Sequence, residues 1–162
     1  MKTHRYNTVV QWNADGEGTK NYRSYSRDHS IAVDGKTAIL ASSDPAFRGD
    51  PSRYNPEELL VASLSACHML WYLHLCAVNG VIVLDYYDAA VGTMEENADG
   101  SGQFSRVELH PVVTVSSESD TYAAQPLHQR AHEFCFIARS VNFPVVVAAT
   151  VKSTVDDVRR AR

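Results

Sequence analysis

The chain has 162 residues, a net charge of −4 and 44% hydrophobic residues. This length supports a hydrophobic core, so we predict a single domain over residues 1–162. The acidic balance argues against nucleic acid as a partner, because phosphate binding needs a basic face. One short basic cluster, Arg159, Arg160 and Arg162, is typical of a solvated tail.

Cysteine use and the lack of targeting segments predict a cytoplasmic protein. No uninterrupted apolar run approaches the ~20 residues of a membrane span, and no secretory signal follows Met1, so we expect no membrane partner. Cys67, Cys76 and Cys135 are scattered, unlike the cysteines of a secreted disulfide framework. In a reducing compartment each is a buried apolar residue, a metal ligand or a reactive thiol.

The first forty residues predict strands. Residues 8–12 and 21–25 have strand patterns, and Asp34-Gly35 between residues 29–33 and 37–41 indicates a hairpin. Residues 43–54 form a polar loop of the length from which lids are built.

The helix that follows has the clearest start signal of the chain. Asn55 can cap it, Pro56 suits its first position, and Glu58 completes a capping box. The helix is expected to end near Asn79-Gly80. It is apolar nearly all round, so we expect a second subunit to cover part of it.

The remaining segments complete an α+β pattern. We predict a long strand over residues 81–94, a turn at 97–102 and a returning strand over 104–116. A second helix is predicted from about residue 122 or 126 to 140, and a last buried strand over 144–150. Strands grouped around two helices favour an α+β fold. No glycine-rich phosphate loop is present, so we expect no nucleotide cofactor.

The residues alone leave the cysteine and histidine roles open. Cys76 lies about 180° around the helix from Cys67 and is interpreted as a core residue. Cys67 and Cys135 are each either core or reactive thiols. His128 and His132 have a spacing that can chelate a metal, but a surface or interface pair is favoured because no third ligand is evident. His74 lies about 10 Å along the helix from Cys67, too far to act as its base.

The segment from Asn55 to His68 resembles the signature helix of the OsmC/Ohr family of hydroperoxide reductases. In that family Asn-Pro-Glu is followed, ten residues after the Glu, by the reactive cysteine, and Glu57 and Cys67 fit this spacing. Residues 131–140 resemble the segment with the second family cysteine, and Arg27 lies where the family has its active-site arginine. The resemblance covers nearly the whole chain.

This resemblance implies an intertwined α+β homodimer with antiparallel sheets around two central helices. Cys67 would be the peroxidatic thiol, Cys135 the resolving thiol, and Arg27 with Glu57 the pair that tunes Cys67. A guanidinium favours the thiolate, which is the nucleophile, and a carboxylate holds the guanidinium in place. No metal and no cofactor is required. The implied partners are an organic hydroperoxide substrate and a dithiol reductant, with lipoylated protein or dihydrolipoamide as the family expectation.

Two positions place the chain nearer the OsmC-like branch than the Ohr branch. His68 follows Cys67 where Ohr proteins have Phe, and Phe136 follows Cys135 where they have Pro. An apolar pocket favouring organic hydroperoxides is expected from these side chains: Leu64, Met69, Trp71, Phe134 and Phe136.

Three functional hypotheses therefore stand. The first is a thiol peroxidase using Cys67 and Cys135. The second is a non-enzymatic ligand-binding or redox-sensing domain on the same fold. The third is a metal protein using His128 and His132.

Overall fold

A computed structural model of the chain describes residues 2–14 and 16–154. It divides into two compact units, Met1–Leu59 and Leu60–Arg162. The basic cluster Arg159, Arg160 and Arg162 lies outside the described residues. The single domain over residues 1–162 stays a prediction.

The first unit contains an antiparallel sheet of three strands in the order β1 (Val9–Gln11), β2 (His29–Ala32) and β3 (Ile39–Ala41). The predicted hairpin is confirmed, and Gly35 supplies the left-handed backbone of its turn at φ 73°. The strand predicted over residues 21–25 is wrong, because these residues form turns. There the Ser24 hydroxyl donates to the Gly18 carbonyl at 2.7 Å, a local bond that competes with strand pairing.

Helix α1 spans Pro56–Val78 and begins with the predicted capping box. The Asn55 Oδ1 accepts from the Glu58 N–H at 2.8 Å, and the Glu58 Oε2 accepts from the Asn55 N–H at 3.1 Å. The helix ends as predicted before Gly80, which has φ 72°. The loop of residues 43–54 contains a short 3-10 helix, Pro45–Phe47.

One face of α1 is buried and the opposite face is not. The buried side chains repeat every four residues along the helix: Leu64, His68, Tyr72 and Cys76. Leu70 and Val78 are each 63% exposed. By length and composition α1 could cross a membrane, with mean hydropathy 1.5, although the expectation from uninterrupted apolar runs was that no span exists. A core helix of a soluble protein passes the same test, so this is weak evidence.

The second unit contains two further sheets of three strands each. In the first, β4 (Val83–Asp88) pairs antiparallel with β7 (Pro111–Val115), which pairs parallel with β9 (Thr150–Ser153). In the other, β5 (Val91–Glu96) pairs antiparallel with β6 (Gly102–Leu109), which pairs parallel with β8 (Val145–Val147). The α+β class is confirmed, but these sheets are mixed, not antiparallel as expected.

The long strands predicted over residues 81–94 and 104–116 are each broken in two. The breaks face one another, because Asp88 pairs with Pro111 and Val91 with Glu108. Asp88 Oδ1 accepts from the His110 N–H at 2.7 Å, and Pro111 has no N–H to donate. The carboxylate thus satisfies the backbone where the ribbon bends from one sheet into the next.

The second predicted helix is also interrupted. It forms α2 (Thr121–Ala124), α3 (Leu127–Phe134) and a 3-10 helix, Ala138–Ser140. Cys135 caps α3 with extended backbone, φ −63° and ψ 109°, so it lies one residue past the helix and not on it as predicted. The strand predicted over 144–150 is likewise divided between β8 and β9.

The stripe of α1 contributes to both apolar clusters of the second unit. Tyr72 and Cys76 pack with residues of β7, α2 and α3, including Val113, Ala124 and Ala131. Leu64 packs with Val107 and Leu109 of β6 in the other buried cluster. Cys76 is therefore the core residue that the sequence predicted.

Asn55→Ala should lower the free energy of unfolding by about 1 kcal/mol, because the capped N–H of Glu58 loses its acceptor. Asn55→Asp keeps an acceptor oxygen and should retain most of that stability. Urea denaturation of both variants measures the difference. An equal loss in the two variants would show that the cap does not stabilise α1.

Candidate active site

Two thiols meet in the second unit. Cys67 is half-buried on α1, Cys135 is 1% exposed at the end of α3, and neither forms a disulfide. The Cys67 side chain lies close enough to the Cys135 thiol to influence its ionisation. The fold therefore brings together two of the sequence-predicted site residues, which are 68 positions apart along the chain.

The surroundings of Cys135 keep it protonated. Burial first, and then the neighbouring Cys67 side chain, raise the pKa of the Cys135 thiol to about 11. The backbone N–H groups of Ile137 and Ala138 act in the opposite direction, with the Ala138 N–H 3.5 Å from the Cys135 sulfur. Where a thiol is buried and protonated, it is a poor first nucleophile.

Aromatic rings pack together beside the thiols. Trp71 follows Cys67 by one helical turn, and Phe134 and Phe136 flank Cys135. The Trp71 ring stacks on Phe134 at a centroid distance of 5.2 Å and meets Phe136 edge-on at 5.5 Å. These contacts join the two cysteine segments and present an apolar surface next to them.

A shallow pocket of about 240 Å³ opens on this surface, lined by Leu70, Trp71 and His74. The expected pocket residues are only partly those observed. Trp71 lines it and touches Phe134 and Phe136, but Leu64 is fully buried in the core and was wrongly expected there. His74, interpreted as a packing residue, meets the Trp71 ring edge-on at 5.8 Å.

Arg27 and Glu57 both lie in the first unit, but they form no ion pair within the described residues. The Arg27 guanidinium donates to the carbonyls of Tyr22 and Tyr25, the former at 2.6 Å. It also lies over the Tyr25 ring, 3.9 Å from its centroid. The Glu57 Oε2 is buried and has no hydrogen-bond partner. The Arg27 guanidinium therefore bonds to backbone carbonyls and not to Glu57, and the Glu57 Oε2 is left without a donor.

A pair of buried imidazoles lies beside the dithiol segments. His68 Nε2 and His128 Nδ1 are 3.1 Å apart, which joins α1 to α3, and the Tyr72 ring stacks on His128 at 3.8 Å. Burial first, and then His132, lower the pKa of His68 to about 4, while Asp88 opposes the shift. Burial first, and then His68, lower the pKa of His128 to about 3.

This pairing corrects the interpretation of His128 and His132 as a surface or interface pair. His128 is 4% exposed, and its hydrogen-bond partner is His68. Among the described residues no group of three or more His, Cys, Asp or Glu side chains is arranged to hold a metal ion. The sequence signal for His68 was its place in the four-residue repeat of α1, between Leu64 and Tyr72.

The chain is similar to known proteins over most of its length. A family model described as OsmC-like protein matches residues 49–150. An OsmC-like protein of unknown function from Vibrio cholerae is 34% identical, with a TM-score of 0.83 over 91% of this chain and 100% of that chain. No curated protein matches the sequence.

Two more distant solved structures share the fold. One is an organic hydroperoxide resistance protein OsmC, a predicted redox protein, from Legionella pneumophila: 20% identity, TM-score 0.65, over 93% of this chain and 99% of that chain. The other is the organic hydroperoxide resistance protein OhrB of Bacillus subtilis: 20% identity, TM-score 0.59, over 92% and 98%. These two likenesses show the fold of the chain.

The buried histidines predict a loss of stability in acid. Below pH 6.5 the unfolded chain protonates both, whereas the folded His68 stays neutral to about pH 4 and His128 to about pH 3. The unfolded state then binds more protons, so the free energy of unfolding falls as the pH falls through this window. Each histidine contributes at most about 1.4 kcal/mol per pH unit.

Urea denaturation between about pH 7 and about pH 5 measures this dependence. The double variant His68→Gln/His128→Asn cannot take up these protons and should show a shallower slope. Carboxylates titrate equally in both proteins, so the difference isolates the histidines. Identical slopes would contradict the assignment.

Proposed function

The chain belongs to the OsmC-like protein family, and we propose that it is a thiol-dependent peroxidase that reduces organic hydroperoxides to alcohols. The observation that carries the proposal is the contact between two free thiols, the half-buried Cys67 and the buried Cys135. Two interacting free thiols are the arrangement from which a redox-active disulfide can form.

Cys67 is the attacking thiol in this proposal. It is the more exposed of the two, whereas burial holds Cys135 protonated. The Cys67 thiolate attacks one oxygen of the O–O bond, which breaks. The alkoxide leaves and takes up a proton to become the alcohol, and Cys67 is left as a sulfenic acid.

Cys135 then resolves the sulfenic acid. Its sulfur displaces hydroxide from the Cys67 sulfur, an S–S bond forms, and the thiol proton leaves with the hydroxide as water. The two side chains already interact in the reduced protein, which favours this step. An external dithiol restores both thiols by exchange, and lipoylated protein or dihydrolipoamide is the reductant that we propose.

Arg27 and Glu57 are proposed to tune Cys67, as the family resemblance implies. The unpaired, buried Oε2 of Glu57 supports this role, because such an oxygen is expensive to bury unless a donor reaches it at some stage of the cycle. A guanidinium next to a thiol favours the thiolate and can also donate to peroxide oxygens.

The apolar surface beside the thiols supports an organic substrate. Trp71, Phe134 and Phe136 offer rings against which an alkyl or aryl group can be buried, which hydrogen peroxide does not possess. Two structures of the same fold, from Legionella pneumophila and Bacillus subtilis, are organic hydroperoxide resistance proteins. Free thiols of this kind persist in a reducing compartment, and we propose a cytoplasmic location.

The second candidate is a non-enzymatic ligand-binding or redox-sensing domain. The open pocket at Leu70, Trp71 and His74 favours it, because an apolar ligand could occupy this surface without any thiol chemistry. The two candidates differ in turnover: a sensor is oxidised once, whereas a peroxidase is oxidised and reduced repeatedly.

We also propose that two copies associate through the uncovered face of α1. Leu70 and Val78 lie on a predominantly apolar helix and are nevertheless exposed, and Phe136 of the same unit is 67% exposed. Apolar side chains in such a group are typical of an interface. The intertwined homodimer expected from the family would bury them.

Cys67→Ser should abolish consumption of tert-butyl hydroperoxide in the presence of dihydrolipoamide, because no other described thiol can replace the half-buried one. Cys135→Ser should instead give one turnover followed by overoxidation of Cys67. Cys76→Ala, which alters only a buried core thiol, is the matched control and should retain activity. Mass spectrometry of alkylated peptides should find a Cys67–Cys135 disulfide in the oxidised wild type.

Continued turnover by Cys67→Ser would exclude the proposed mechanism. A wild-type Cys67 that remains a free thiol after exposure to peroxide would favour the ligand-binding hypothesis. A single oxidation without turnover would favour the sensor.

The dimer predicts a solution mass of twice 17.9 kDa. Leu70→Lys places a charge on the uncovered face and should shift the protein toward monomer, whereas Leu70→Met keeps that face apolar and should not. Sedimentation equilibrium measures both. A monomeric wild type at all concentrations would contradict the proposal.

A further inference from the structure

The buried imidazole pair has no role in the chemistry described above. His68 directly follows Cys67 on α1, and His128 lies on α3, the short helix that Cys135 terminates. The bond between them, 3.1 Å long, is a side-chain hydrogen bond that connects these two helices. The pair therefore links the segment of one thiol to the segment of the other.

The pair is specific and not a general apolar contact. The remaining ring nitrogens, His68 Nδ1 and His128 Nε2, are buried without partners, so the bond between the imidazoles is the one that each ring makes. Two apolar side chains of similar volume would fill the same space without burying polar atoms. What the imidazoles add is a fixed direction and distance between α1 and α3.

The neighbours of His128 hold its ring in place. Tyr72 stacks on it with planes 12° apart, and the Tyr72 hydroxyl donates to the Ala124 carbonyl at 3.4 Å. Ala131, one turn further along α3, is completely buried in the same cluster as Tyr72. The His128 ring is thus held by its stacking on Tyr72 and by its hydrogen bond with His68.

Cys135 depends on this anchor because it lies beyond the helix. Its N–H donates to the His132 carbonyl at 3.3 Å, and its backbone is then extended. α3 has only eight residues, so a shift of its axis at His128 displaces Cys135 by a similar amount. Errors of about 1 Å in reacting atoms can slow a step on the order of 100-fold.

We propose that the His68–His128 pair positions the resolving cysteine, so that the Cys67 sulfenic acid closes to a disulfide before a second peroxide oxidises it further. This inference rests on the proposed function and concerns its second step only. Closure releases water as the S–O bond breaks and the S–S bond forms. The competing step transfers an oxygen from a second hydroperoxide to the sulfenic acid, giving a sulfinic acid and an alcohol.

The test separates the two steps in one experiment. Reduced protein is mixed with tert-butyl hydroperoxide, and the reaction is stopped at intervals with a thiol-alkylating reagent. The mass of the intact protein is then measured by mass spectrometry. The first step is followed as loss of the Cys67 thiol. The second is followed as formation of the Cys67–Cys135 disulfide, with the sulfinic acid as the competing product.

His128→Leu should leave loss of the Cys67 thiol within about 2-fold of wild type, while closure slows by about 10-fold or more and sulfinic acid accumulates. His128→Asn places an amide near the Nδ1 position and should restore most of the closure rate. Gln129→Leu makes the same kind of change on an exposed neighbour and should behave as wild type.

The double variant His68→Leu/His128→Leu covers the case in which His128→Leu does not fold. It leaves no unpaired imidazole, so stability is retained while the directional bond is lost. Slow closure in this folded variant supports the proposal. Wild-type closure rates in either folded Leu variant, or no rescue by His128→Asn, would overturn it and leave the proposed function intact. A wild-type Cys67 that does not react with peroxide would overturn both.

Discussion

The buried stripe of α1 is the constraint on which the rest of the candidate site depends. Leu64 and Tyr72 are fully buried in two different clusters, so a single helix face packs against β6 at Leu64 and against β7, α2 and α3 at Tyr72. Each such side chain contributes about 2 kcal/mol of apolar burial. Cys67 lies beside the stripe and not within it, which leaves it half-buried and able to meet both Cys135 and solvent.

The two thiols also differ in burial, because Cys135 is buried and Cys67 is half-buried. Cys135 is held protonated because its charged form would be desolvated, and this suits a thiol that acts second, against a sulfenic acid. Burial also keeps His68 and His128 neutral near pH 7, so one nitrogen of the pair can donate and the other accept. Charged imidazoles would repel one another, and α3 would lose its directional attachment to α1.

Local chemistry made some elements predictable, and distant contacts made others unpredictable. The capping box at Asn55 and the turn at Gly35 depend on residues within a few positions, and both were predicted correctly. The bend at Asp88 depends on His110, and the burial of His128 on His68, which is 60 residues away. Periodicity contains no information about such pairs. The two cysteines could be selected only because a family resemblance supplied the pairing that the spacing lacks.

At both positions where this chain departs from the Ohr pattern, the side chain makes a contact between the two cysteine segments. His68 stands where Ohr proteins have Phe, and it contributes the hydrogen bond to α3. Phe136 stands where they have Pro, and its ring meets Trp71 of α1 at 5.5 Å. Each of these two residues makes a contact between the segments of Cys67 and Cys135. A proline restricts its own backbone conformation. Phe136 has no such restriction and contacts the Trp71 ring. Both residues therefore attach the segment of Cys135 to helix α1.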